Sequence, residues 1–347
     1  DVVLDCNHDG ILDAGDVLDG GDAPGFYRTH DTTIPGPPPV YVFDHDGGEP
    51  FLQQRIFQPA DIAELGVVPL VVVTLASYGY VVMAHAAAVQ NGGPPGTLTA
   101  AETTLDNTDH FLANLASIDA GQLAGHVDAS RIMLTGHSTG GEAVVRAATL
   151  LREGSFSSPH FGYADIRIVS SMAPVSWHPR TLVDPGDLNF HMFVAGADSD
   201  VSGAPELSYT QCLSIFERAM GERQLTYIHG AGHGDMLTCC GELFLDQSAP
   251  DLIGREETKR VLRGYFVPLA ERYLRDNRAA EEYFTRSYAD YHPSGIAPHV
   301  VVTNDHRAAR GTTLVIDDFE SAPELGLARS GATVSFDVAH VDVVRVR

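Results

Sequence analysis

Lysine is almost missing from this chain; Lys259 is the only one. Arginine supplies the rest of the 22 basic residues, which face 46 aspartates and glutamates for a formal net charge of −24. A surface this acidic repels phosphate backbones and anionic headgroups, so nucleic acid is not an expected partner. Long apolar runs are lacking too. The longest candidate, Val67 to Thr74, falls far short of the roughly 20 residues a spanning helix needs, and no membrane span is expected. Cysteine is scarce: Cys6, Cys212, Cys239 and Cys240 are too few for a disulfide scaffold. Cys239 and Cys240 are adjacent, with no second pair at zinc-finger spacing. A bridge from Cys212 to either of them and a set of buried free thiols both fit. No basic, apolar leader opens the chain, which begins at Asp1 without Met, as a mature or trimmed product would.

What is there suits a globular protein with a large core. The 347 residues are 44% hydrophobic and 20% charged, enough for one large domain or two ordinary ones. Residues 1–22 are rich in Asp and Gly. Residues 23–39 carry Pro24, Pro35, Pro37, Pro38 and Pro39, the composition of an extended linker. Over residues 40–285, short β-branched runs alternate with helical patterns, which predicts a mostly parallel sheet with helices on its faces. Strands are expected at Val40–Phe43, Tyr80–Ala84, Arg131–Thr135, Ile166–Ser170, Phe190–Ala195 and Leu225–Ile228. Helices are expected at Leu105–Ile118, Glu142–Arg152, Glu206–Met220 and Thr258–Arg275. The segment Asp61–Leu75 fits either state. Residues 286–347 hold four short strand-like runs, the first at Val300–Thr303, which predict a β-rich extension or the start of an accessory β domain.

The strongest motif is Gly136-His137-Ser138-Thr139-Gly140, a G-x-S-x-G. Five residues alone are a weak pattern, but the neighbours fit its chemistry. Ile132-Met133-Leu134 reads as a strand before it, and Gly141 with the Ala/Val-rich stretch Glu142–Leu151 reads as a helix after it. A sharp strand-to-helix turn would stand the Ser138 hydroxyl clear of the sheet, above a helix N-terminus whose free N–H groups suit an oxyanion. The plain alternative is a Gly-rich turn with a surface serine.

A serine nucleophile needs a base, and the base needs an orienting acid. Past the expected strand Phe190–Ala195 comes Gly196-Ala197-Asp198-Ser199-Asp200, where either carboxylate could be the acid and the other a turn cap. Past Leu225–Ile228 comes His229-Gly230-Ala231-Gly232-His233-Gly234. His233, between glycines, has room to approach Ser138; His229, nearer the strand, reads as structural. The order Ser, acid, His is that of α/β-hydrolases. One oxyanion donor is expected to be the Thr139 amide. The second is expected from the loop after an early strand, with Gly47 or Asp46 in His45-Asp46-Gly47-Gly48 as the candidate.

These residues resemble the α/β-hydrolases that include bacterial cutinases, polyester (PET) hydrolases and the related chlorophyllase and platelet-activating-factor acetylhydrolase-like enzymes. Leu75-Ala76-Ser77-Tyr78-Gly79-Tyr80-Val81-Val82 is similar to that group's "LASHGYVV". Asp128-Ala129-Ser130-Arg131-Ile132 running into the Ser138 motif resembles its nucleophile region. Gly196 to Asp200 resembles a "GADxD" whose second Asp is the triad acid, which implies Asp200, and Gly230-Ala231-Gly232-His233 resembles "GASH", which implies His233 as the base. Ala173-Pro174-Val175-Ser176-Trp177-His178 resembles a segment ending "PWH", whose Trp packs against substrate; this implies Trp177, the only Trp, on the substrate side, together with His137. The likeness covers about residues 25 to 285 and departs at His45-Asp46-Gly47-Gly48, where that group has a "PGY" or "HGF"-like turn.

Asp5, Asn7, Asp9, Ile11, Asp13 and Asp16 fall at the ligand spacing of an EF-hand loop, with Gly10 at the bend and the Ile11 carbonyl as one ligand. Hard oxygen donors at this spacing suit a structural Ca²⁺. The plain alternative is an acidic linker. Taken together, the sequence predicts a secreted, monomeric serine carboxylesterase of the α/β-hydrolase fold acting on ester or polyester substrates, with no cofactor for catalysis. The alternatives are a lipase or acetylhydrolase for short acyl esters and a non-catalytic calcium-dependent binding module on the same scaffold.

Overall fold

A computed structural model of the chain describes residues 3–4, 17–18, 31–48, 53–71, 75–85, 96–177, 183–204, 211–237, 251–277, 279–280, 284, 293 and 295–310. Nine strands form one sheet: β1 (Val40–Asp46), β2 (Gln53–Pro59), β3 (Val68–Val71), β4 (Val81–His85), β5 (Val127–His137), β6 (Ile166–Met172), β7 (Asn189–Ala195), β8 (Arg223–Ile228) and β9 (Val302–Arg307). Their order is β9-β8-β7-β6-β5-β3-β4-β2-β1. The run from β8 to β4 is parallel throughout. Antiparallel strands flank it, β9 on β8 and the pair β2–β1 on β4. The helices are α1 (Ile62–Leu65), α2 (Thr97–Ala113), α3 (Thr139–Glu153), α4 (Leu213–Arg218) and α5 (Gly254–Leu274).

Alternation along the central strands explains why they read as unbroken apolar runs. Ile132 and Leu134 of β5 face a core shared with Leu105 and Phe111 of α2 and Val144 and Val145 of α3. Met133, between them, faces the opposite core, built on Val261, Tyr265, Phe266 and Leu269 of α5. Both faces are covered, so both sets of side chains are apolar. At roughly 25 cal/mol per Å² of apolar surface buried, these two layers are the main favourable term in the fold.

Several expected boundaries move. The ambiguous segment Asp61–Leu75 holds both states, α1 and then β3. Strand β2 was not expected: its inward residues are Gln54, Ile56 and Gln58, all 0% exposed, so two of three inward positions are polar and the alternation is hidden. Residues 31–39, expected as linker, pack on the body instead. Thr33 is buried, Thr32 Oγ1 donates to the Gly264 carbonyl (3.0 Å), and Arg263 Nε donates to the Thr33 carbonyl (2.7 Å). The first strand expected in the C-terminal extension is β9, which pairs with β8 over six residues, from Arg223↔Arg307 to Ile228↔Val302. The central unit therefore reaches past residue 285. The three later strand-like runs lie outside the described residues.

Near the N-terminus, Val3–Leu4 pairs antiparallel with Val17–Leu18, Leu4 opposite Val17. The six expected calcium ligands, Asp5 to Asp16, lie between these strands and outside the described residues. No helix among the described residues is long and apolar enough to cross a membrane.

Candidate active site

Ser138 stands between the last residue of β5 and the first of α3, with φ 57° and ψ −121°. Positive φ is rare for a residue with a side chain and costs on the order of 1–3 kcal/mol. The surroundings hold it there. The Ser138 amide donates to the Met172 carbonyl at the end of β6 (2.9 Å), and the Ser138 carbonyl accepts from Gly141 (2.9 Å) and Val175 (3.3 Å). The glycines divide the work unevenly. A Cβ on Gly136 would lie 2.2 Å from the Gly140 carbonyl oxygen, and one on Gly141 would lie 2.9 Å from Pro174 Cβ. A Cβ on Gly140 would meet nothing within 4 Å. Close packing therefore demands Gly136 and Gly141, and Gly140 borders open space.

β7 and β8 run parallel to β5, so the loops that follow all three emerge at the same end of the sheet. The β7 loop carries Asp198 and the β8 loop carries His233. Asp198 Oδ2 accepts from His233 Nδ1 at 2.7 Å, with both side chains 3% exposed. Asp198 Oδ1 takes the amides of Asp200 (2.9 Å) and Val201 (2.6 Å). Its two oxygens are thus committed to orienting one imidazole and closing its own turn.

This corrects the expectation that Asp200 holds the imidazole. Asp200 lies on the other side of the ring, its Oδ2 3.5 Å from Nε2, and is 53% exposed. The chain turns at Asp198, so the carboxylate two residues on comes out on the solvent side.

The imidazole reaches the serine turn through His137. The His137 and His233 rings lie 4.4 Å apart, and His137 Nε2 donates to the His233 carbonyl at 3.1 Å. That bond ties the loop that carries His233 to the last residue of β5. Among the described residues no hydrogen bond joins the Ser138 hydroxyl to His233. Nucleophile–base contacts are often looser in unliganded sites and tighten when substrate binds.

The Thr139 amide opens α3, and as the first residue of a helix it has no intrahelical acceptor. Gly47 does not join it. It follows β1, the outermost strand, four positions from β5 and about 19 Å away at ordinary strand spacing. The strand beside β5 is β3. Its outgoing residues 72–74 lie outside the described residues.

Trp177 is 54% exposed and follows the Pro174–Val175 segment that packs on the serine turn. Its amide donates to Glu142 Oε2 (3.0 Å), a fully buried carboxylate in the first turn of α3. Sequence reasoning missed this anchor, although an acid in a first helical turn is a legible signal. Cys212 is a free, buried thiol, pushed up to about 11 by burial and by the Asp198 charge. A cavity of about 400 Å³ beside Asp198 is lined by Cys212, Val201 and Tyr227 but by neither Ser138 nor His233. No group of three or more His, Cys, Asp or Glu suited to a metal occurs among the described residues.

Compared with known proteins, the chain matches no protein-family model and no curated protein. The site's geometry carries the functional argument by itself.

Proposed function

We propose that this protein is a secreted serine carboxylic-ester hydrolase of the α/β-hydrolase type, similar to cutinases and polyester hydrolases. The observation that carries the reading is the buried Asp198–His233 pair, 2.7 Å apart, at the same end of the sheet as a serine held at φ 57°. The chain order Ser, Asp, His after the parallel strands β5, β7 and β8 supports the fold assignment.

In the proposed reaction Ser138 Oγ attacks the ester carbonyl while His233 Nε2 takes the hydroxyl proton. Asp198 keeps the Nδ1 proton in place and stabilises the imidazolium that forms. The Thr139 amide, at the positive end of α3, holds the tetrahedral oxyanion. His233 returns the proton to the departing alkoxide, leaving an acyl-serine. It then activates a water that releases the acid. The exposed Trp177 supports a substrate with an apolar or aromatic acyl part, whose surface would stack on the indole. A Ca²⁺ held by Asp5, Asn7, Asp9, the Ile11 carbonyl, Asp13 and Asp16 would brace the N-terminal segment and take no part in the chemistry.

The test is hydrolysis of short-chain nitrophenyl esters, with labelling by a fluorophosphonate read by mass spectrometry. The label is expected on Ser138. Ser138→Ala is expected to lose both label and turnover while keeping its circular dichroism spectrum. Turnover by Ser138→Ala equal to that of the unmodified protein would reject Ser138 as the nucleophile, and neither label nor turnover in either protein would favour the binding module.

A further inference from the structure

The imidazole of His233 has a carboxylate at each nitrogen. Asp198 accounts for Nδ1. Asp200 lies 3.5 Å from Nε2, the nitrogen that must face the reacting ester, and is half exposed. Its amide is tied to Asp198 Oδ1 (2.9 Å), so its backbone is fixed by the same residue that fixes the base. Among the described residues no arginine or lysine pairs with Asp200, so its charge is left unneutralised at the reactive side of the ring.

A general base must lie about 3 Å from the proton it takes. A carboxylate 3.5 Å from Nε2 is therefore within about 6–7 Å of the serine oxygen that gives up that proton to attack the ester. That is inside the screening length at physiological salt, about 8 Å. A negative charge on a bound ester that comes within that length of Asp200 is repelled by it. An uncharged ester pays nothing there.

We propose that Asp200 is a charge filter at the mouth of the serine site: it admits uncharged esters and turns away esters whose acyl part ends in a carboxylate. The proposal rests on the ester-hydrolase reading and names the substrate class of that site. Asp200 acts on specificity, whereas Asp198 orients the base. A diester would be opened once, and the half-ester anion it yields would be a poor second substrate.

Dimethyl adipate and monomethyl adipate differ by that one charge. The experiment measures kcat/KM for both, at one pH and ionic strength, in the unmodified protein, Asp200→Asn, Asp200→Ser, Asp198→Asn and Ser138→Ala. The ratio of diester to half-ester is expected to fall about fivefold in both Asp200 variants, through faster half-ester cleavage. Asp198→Asn is expected to slow both esters together and leave the ratio where it was, which a merely structural loss would also do. An unchanged ratio in both Asp200 variants overturns the proposal. So does loss of both activities to the Asp198→Asn level, because Asp200 would then be orienting the base. Full turnover by Ser138→Ala would sink the serine-esterase reading itself, a result distinct from either.

Discussion

Asp198 and His233 form an enclosed ionisable pair: 2.7 Å from oxygen to nitrogen, each side chain 3% exposed. Burial makes the contact consequential, because a charge-assisted hydrogen bond shielded from water is not traded for solvation. Asp198→Asn keeps an oxygen for the Asp200 and Val201 amides but cannot hold the imidazole in the same tautomer. We expect kcat for nitrophenyl esters to fall by on the order of 10⁴, the usual consequence of losing the acid of such a triad, with thermal stability little changed. Steady-state kinetics on the purified variant decide it. Asp198→Asn within tenfold of the unmodified protein would reassign the acid.

The unequal glycines of the serine turn give a second expectation. Gly136→Ala would drive a Cβ to 2.2 Å from a backbone oxygen, so the turn must open. A destabilisation of about 3 kcal/mol is expected, with loss of turnover. Gly140→Ala meets nothing within 4 Å and sits in the first turn of α3, where alanine is the better helix former by up to about 1 kcal/mol. Its midpoint in urea is expected to hold or rise. A lower midpoint for Gly140→Ala than for Gly136→Ala would mean the packing is the reverse of that described.

These residues also show how far the sequence could be read. The strand-to-helix turn at Ser138 and the glycine-flanked segment that carries His233 after a strand were legible because both are local features. The strands with apolar residues on both faces, such as Ile132-Met133-Leu134, were legible for the same reason. Strand β2 was not, because Gln54 and Gln58 point inward, and a buried amide looks like a solvent residue in any periodicity count. Choosing Asp198 over Asp200 needs the direction of a turn. Excluding Gly47 needs the order of strands across the sheet, which places β3, not β1, beside the serine strand. Both are matters of tertiary pairing that no short motif carries.

The calcium binding proposed for residues 5–16 is open to a direct test by chelation. The paired segments Val3–Leu4 and Val17–Leu18 flank twelve residues whose sequence has the spacing of hard oxygen ligands. If Ca²⁺ binds the folded loop alone, chelation lowers the apparent melting temperature and add-back restores it, by mass action. Differential scanning calorimetry with EDTA, then with excess Ca²⁺, is expected to show that reversible shift. It should vanish in Asp5→Ala/Asp9→Ala while esterase activity stays unchanged. Identical melting in EDTA and Ca²⁺ would leave the segment an acidic linker.

His191 sets an acid limit on the fold. It lies in the middle of β7 at 0% exposure, with Nδ1 3.0 Å from Ser170 Oγ and Nε2 3.1 Å from Thr226 Oγ1. Burial lowers its pKa from 6.5 to about 3. The unfolded chain therefore takes up a proton on this residue below about pH 6.5, and the native state refuses it until about pH 3. Proton uptake by the unfolded state alone means that stability falls as pH falls across that window. The slope is about 1.4 kcal/mol per pH unit for one proton taken up by the unfolded chain alone. His191→Gln can keep both hydroxyl contacts and has nothing to titrate. Urea unfolding at a series of pH values is expected to show the variant losing stability less steeply than the unmodified protein between pH 6.5 and 4.5. Carboxylates contribute to both curves alike, so the difference in slope isolates the imidazole. Two parallel curves would mean that His191 takes its proton inside the native core, and the acid limit would then belong to other residues.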